Sequence, residues 1–204
     1  MNTIQKNVLM GQRSLPNFIK IKEEHMFSAI KYLVDENKKL IKEIEKKDRL
    51  TWGNFIHKLE ESDDKISKAW APIRHLNSVM NSPKIRKQYE KSLKLLTSHY
   101  AKVGQNSKLY AKYENFYNGH KNNLNQQQRK LLSDSLRGFR LSGVHLTGDD
   151  RKLFRDSQEK LATLESKFEQ NILDSSNSWE LNFKTEKPLK GMPNNAIETA
   201  AEIA

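Results

Sequence analysis

Along most of this chain apolar residues return every three or four positions, and the residues that punctuate helices stand between those runs. In EEHMFSAIKYLVDENKKLIKEIEK, the residues Phe27, Ile30, Leu33, Val34, Leu40, Ile41 and Ile44 form one stripe, opposite a Lys/Glu-rich outer face. Thr51 is placed to cap a second helix, whose stripe holds Trp52, Phe55, Ile56, Leu59, Ile66, Trp70, Ile73, Leu76 and Met80. Two Trp on one stripe point to a core-facing seam. Pro72 falls inside this stripe and predicts a kink or break one turn before it. Ser82-Pro83 opens a third helix, with Ser as N-cap and Pro at the first helical position. Its face of Ile85, Tyr89, Leu93, Leu96, Tyr100 and Val103 runs down to Gly104.

Shorter runs follow. Asn106 can cap a helix carrying Leu109, Tyr110, Tyr113, Phe116 and Tyr117, with Gly119 as its stop. Asn125 begins another, through Leu131, Leu132, Leu136 and Phe139, which ends near Leu141–Gly143. Thr147 to Asp150 reads as a capping box with Asp in the usual Glu position, opening the most regular run: Leu153, Ser157, Leu161, Leu164, Phe168 and Ile172. In SWELNFK the alternation of Trp179, Leu181 and Phe183 suggests a short strand. An Ala-rich helix begins at Asn195, and no stop signal precedes Ala204, so a continuing polypeptide is expected.

These patterns predict an all-α fold, a bundle of long antiparallel helices with at most one minor strand near 179–183. The expected organisation is an irregular segment over 1–20, a helical domain over 21–178, and a connector with the start of a further helix over 179–204. The 204 residues suffice for one sizeable domain or two small ones, and the 8 Gly and 5 Pro are too few for a turn-rich β sandwich. No repeat of the helical-array kind is present.

Composition removes several kinds of chemistry. With no cysteine, disulfides, thiolate zinc sites and Cys nucleophiles are excluded. The N-terminus lacks a signal-peptide core, and no window nears the ~18–20 apolar residues that span a bilayer. A cytoplasmic protein with no membrane partner is expected. The net charge of +11 is uneven: residues 1–102 carry 21 Lys and Arg against 12 Asp and Glu, and residues 103–204 carry 15 against 13. Between Ile73 and Lys102 stand Arg74, Lys84, Arg86, Lys87, Lys91, Lys94 and Lys102 against Glu90 alone. Lys84, Lys87, Lys91 and Lys94 recur at helical spacing opposite Tyr89, Leu93 and Leu96. This makes an anion-attracting surface or simply a solvated face. The aromatic residues lie on the other face, which argues against nucleic acid.

His25, His57, His75, His99, His120 and His145 are scattered, and position 61, one turn after His57, is Glu rather than His. The histidines read as surface or capping residues. Glu60/Glu61 and Asp63/Asp64 read as solvated helix faces, because adjacent helical residues point apart. There is no Gly-x-Ser-x-Gly elbow and no phosphate-cradling glycine loop, and Ser142 neighbours His145 only in sequence. No catalytic, cofactor-binding or metal-ligating residue is assigned.

Specific residues nevertheless carry a likeness. Thr51-Trp-x-Asn-Phe55 is followed by Trp70-x-Pro72, His75-Leu-Asn-x-Val79 and Asn81-Ser-Pro83, with Arg86 and Tyr89 beyond. Gly104-Gln-Asn106, Leu109-Tyr110, Phe139-Arg-Leu-Ser-Gly143, the helix over 161–179 and LKGMPNNAIETAA come later in the same order. From about Leu15 onward the chain resembles the N-terminal region of the thimet oligopeptidase family of zinc metallopeptidases, in its bacterial oligopeptidase A branch. It departs at Gly53, where an acidic residue is usual, and in the basic character of 84–102. The resemblance implies a mostly helical enzyme that cuts short peptides in a channel between two lobes. It also implies zinc held by a His-Glu-x-x-His helix and a later Glu, with the motif's own Glu as general base. Those residues belong to a C-terminal catalytic lobe that this sequence does not reach. The chain is therefore expected to form one wall of the channel and to be inactive alone. The alternatives are a free-standing basic helical module that binds a polyanion or protein partner, and an inactive remnant of a disrupted gene.

Overall fold

The computed structural model describes residues 7–10 and 15–203. Part of the irregular segment expected over 1–20, and the terminal Ala204, lie outside the described residues. Among the described residues the architecture is all-α: α1 (Glu23–Lys46), α2 (His57–Val79), α3 (Pro83–Gly104), α4 (Ser107–His120), α5 (Gln126–Leu141), α6 (Gly148–Ser178) and α7 (Asn194–Ile203). The strand suggested over 179–183 does not form. Trp179 and Leu181 lie exposed in irregular backbone, and alternation without a neighbouring strand leaves a row of backbone groups unpaired.

Capping residues start the helices as their chemistry dictates. Thr51 Oγ1 accepts from Asn54 N–H at 3.2 Å while Asn54 Oδ1 accepts from Thr51 N–H at 2.9 Å. This pair opens a π-helical turn, Trp52–Ile56, that leads into α2. Ser82 Oγ accepts from Ile85 N–H, Asn106 Oδ1 from Leu109 N–H and Asn125 Oδ1 from Gln128 N–H. His25 Nδ1 accepts from Lys22 N–H at 3.1 Å, a capping role for that histidine.

Two expectations need correction. α2 is not broken: it runs from His57 to Val79 through a buried Pro72. The carbonyl that Pro72 leaves without an N–H partner belongs to exposed Lys68, where water can satisfy it. Gly119 is not the stop of α4, which ends at His120, and its φ is not positive.

The chain divides into two compact units, residues 1–164 and 165–204. In the first, α1 and α2 are antiparallel, and α3 returns parallel to α1. Lys91 lies over Phe27, His99 meets Asn37, and Asn106 meets Glu45, so both helices advance together. Two apolar clusters hold this unit. One gathers Met26, Ala29, Ile30, Val34, Ile66, Ala69, Ile73, Tyr89 and Leu96 from α1, α2 and α3. The other centres on Phe55, which packs edge-on to Tyr113 and Phe116 and joins Ile44, Leu109, Leu132, Leu136 and Phe139. Trp52 and Trp70 are half-buried at the margins of these clusters, with Trp70 stacked on Tyr89 at 5.0 Å.

The second unit holds the end of α6, a 3-10 turn at Lys187–Leu189 and α7. Its apolar Phe168, Ile172, Trp179, Leu181 and Met192 are exposed.

Candidate functional site

Three features of the first unit are candidates for function, and two of them lie where the sequence pattern points elsewhere. The first is a buried polar chain. Asn37 Nδ2 donates to Ser62 Oγ at 2.9 Å and to Asp63 Oδ1 at 3.3 Å, while Asn37 Oδ1 lies 3.0 Å from His99 Nε2. With both amide hydrogens of Asn37 engaged, its oxygen must accept, which places the His99 proton on Nε2. His99 is only 2% exposed, so it is neither a surface nor a capping histidine. Burial, together with Lys38 and Lys102, lowers its pKa to about 4. Asp63 likewise is not on a solvated face. Burial, with Glu60 nearby, raises its pKa to about 6. The paired-carboxylate pattern hid this because Asp64, its neighbour, does face solvent and pairs with Lys68 at 2.6 Å.

The second feature is a groove of about 480 Å³ between α2, α3, the end of α5 and α6. It is lined by Ile66, Trp70, Leu93, Leu96, Tyr100 and Phe154, with Ser67, Thr97, Ser142 and Gln158 as its polar members. No charged side chain lines it, in a chain that is 30% charged. Beside it Leu141 is 69% exposed, and along α6 Leu153, Leu161 and Leu164 stand half to two-thirds exposed. The apolar stripe of α6 is real, and among the described residues of the first unit its Leu153, Leu161 and Leu164 are left exposed.

The third is the outer face of α3. Lys84, Lys87, Lys91 and Lys94 are exposed there, as their spacing predicts. Among the described residues none of the four has a carboxylate within ion-pair distance.

No group of three or more His, Asp or Glu among the described residues is arranged to hold a metal ion. His57 meets Glu61 at 3.5 Å on an exposed face, His75 packs against Phe18, and His120 stacks on Phe116. The donor set that zinc needs does not fit here, and no step through a metal can be derived from these residues. No described helix is long and apolar enough to cross a membrane.

The motif residues turn out to be joints. A Cβ on Gly104 would stand 2.5 Å from Ser142 Cβ, so glycine lets α3 meet the end of α5. Gln105 is buried, its Nε2 donating to the Arg151 carbonyl at 3.2 Å while Arg151 Nη2 donates to the Gln105 carbonyl. Asn106 caps α4 and donates to Glu45 Oε1 at 2.6 Å. At the α2–α3 turn, Asn81 Nδ2 donates to the Asn77 carbonyl while Asn81 Oδ1 accepts from Arg86.

These features define an all-α helical domain whose motif residues include joints between helices and whose groove is free of charge. Residues 30–151 match the family model for the neurolysin/thimet oligopeptidase N-terminal domain. The chain belongs to that family. It is 35% identical to oligopeptidase A of Haemophilus influenzae over 199 residues, 97% of this chain and 29% of the relative. Oligopeptidase A of Escherichia coli is 34% identical over 95% of this chain. A probable cytosolic oligopeptidase A of Arabidopsis thaliana is 24% identical over the whole of this chain, 29% of the relative. The chain spans less than a third of the length of these relatives.

Proposed function

We propose that this chain is the N-terminal helical portion of an oligopeptidase A-like zinc metalloendopeptidase that degrades short peptides, and that it forms one wall of the substrate channel. The observation that carries this reading is alignment along 97% of the chain with a peptidase of which it covers 29%. The charge-free groove and the uncovered apolar side chains of α6 support it, because buried interface cores are depleted of charge and large exposed apolar patches mark contact surfaces. In this reading they seat the catalytic lobe. Zinc and its activated water belong to that lobe in this reading, as the family resemblance implies. The channel wall admits short, unfolded peptides, and the enzyme works in the cytoplasm.

Two measurements test the reading. The purified 204-residue chain should bind no stoichiometric zinc and cleave no peptide. Sequencing the coding region past codon 204 should reveal an in-frame His-Glu-x-x-His. Metal-dependent cleavage by the chain alone would refute the division of labour.

A further inference from the structure

The lysines of this chain fall into two groups. On α1, α2 and α5 many are neutralised along their own helix: Lys31 by Asp35, Lys39 by Glu36, Lys68 by Asp64 and Lys130 by Asp134, all at 2.6–2.8 Å. On α3, Lys84, Lys87, Lys91 and Lys94 have no such partner among the described residues. Glu90 is the only acid in that helix. At 1.5 Å per residue the four ammonium groups form a row about 15 Å long, the length of roughly five residues of extended peptide. The row is built upon: α3 is fixed parallel to α1, and Lys91 rests over the Phe27 ring at 6.0 Å.

We propose that the outer face of α3 is an electrostatic docking strip for acidic peptides. The inference rests on the peptidase reading and deepens it by naming the class of substrate that this surface gathers. Uncompensated like charges in a row attract a chain of opposite charges and raise its local concentration and encounter rate. Lysine ammonium groups act as point charges that accept any carboxylate geometry. They lack the planar fork with which arginine matches phosphate. Trp70, Tyr89 and Leu96 point into the core or the groove, and Lys91 lies over the half-buried Phe27 ring, which leaves little aromatic surface on the strip for bases to stack on.

The test uses the 204-residue chain and a fluorescently labelled, Glu-rich peptide of about eight residues, read by anisotropy. Four contacts predict a slope of log affinity against log salt of about −3, so that a fourfold rise in salt weakens binding by about 50-fold. The quadruple variant Lys84→Gln, Lys87→Gln, Lys91→Gln, Lys94→Gln should lose at least about tenfold in affinity and most of the salt slope. The control removes equal charge at Lys31, Lys39, Lys68 and Lys130, all to Gln, and should lose about twofold or less. Because all eight lysines are exposed, both variants should retain the wild-type circular dichroism and melting temperature. Equal losses in the two variants would mean that net charge alone attracts the peptide, and the strip would fall. Undetectable peptide binding would also overturn it, as would tighter binding of a single-stranded oligonucleotide of equal charge. None of these failures touches the peptidase reading, which zinc content and cleavage decide.

Discussion

The polar chain through Asn37 joins two groups whose titrations oppose each other, and this predicts an uncommon pH dependence. Asp63 has a pKa raised from 3.8 to about 6 by burial and then by Glu60. Its contribution to stability is complete below pH 3.8 and is lost as pH rises through about 6. His99 has a pKa lowered from 6.5 to about 4, by burial first and then by Lys38 and Lys102, with Asp35 opposing. Its contribution is complete above pH 6.5 and is lost as pH falls through about 4. Each shift spans more than two pH units, and a unit corresponds to about 1.4 kcal/mol. Water partly screens half-buried Asp63, which reduces its effect to about 2 kcal/mol, and the His99 effect is of the same order. Between pH 4 and 6 the two slopes nearly cancel.

Single substitutions should expose the hidden slopes. In Asp63→Asn the amide oxygen still accepts from Asn37, and only His99 titrates. Relative to wild type, which gains stability as Asp63 takes up its proton, this variant should lose about 2 kcal/mol as pH falls from 6 to 3.8. In His99→Gln the side-chain amide can still donate to Asn37 Oδ1, and only Asp63 titrates. This variant should gain about 2 kcal/mol over wild type as pH falls from 6.5 to 4, because it lacks the loss that His99 causes there. Urea unfolding followed by circular dichroism at fixed ionic strength measures both. Taking differences from wild type removes the background of surface carboxylates. If both variants keep the wild-type pH profile, the chain of hydrogen bonds is not coupled to these protons and the argument fails.

Other perturbations test the joints and the core. Gly104→Ala should destabilise by about 1–3 kcal/mol in thermal melts, because Ser142 backbone and side chain must retreat from the new Cβ. Ser82→Ala removes the acceptor for Ile85 N–H and should cost about 1 kcal/mol, with Ser82→Thr recovering most of it. Phe55→Ala should cost about 3–5 kcal/mol, since its ring is fully buried between Tyr113 and Phe116.

Helix periodicity made the fold legible because each stripe is a local consequence of 3.6-residue geometry. The caps at Thr51, Ser82, Asn106 and Asn125 were equally legible, since each satisfies N–H groups within its own first turn. Features set by distant partners were hidden. His99 lies in a Lys-rich run, and only Asn37, 62 positions away, explains its burial. Asp63 sits beside an acid that does face solvent, so only α1 distinguishes the two. Pro72 reads as a break, yet the carbonyl it leaves without an N–H partner belongs to an exposed residue, Lys68.

Several of the residues that carry the family likeness are joints, and this bears on what the likeness means. Gly104, Gln105 and Asn106 fix three different contacts within three positions: a close approach to Ser142, a clasp on Arg151 and a cap for α4. Asn77, Asn81 and Arg86 lock the α2–α3 turn, and Thr51 with Asn54 opens the turn into α2. Such positions set the angles between helices, and hence the shape of the face that the groove and α6 present. Motif residues placed there therefore bear on surface shape more than on chemistry. The lysine strip takes no part in these joints, so the docking proposed for it can be removed by substitution without disturbing the angles between helices.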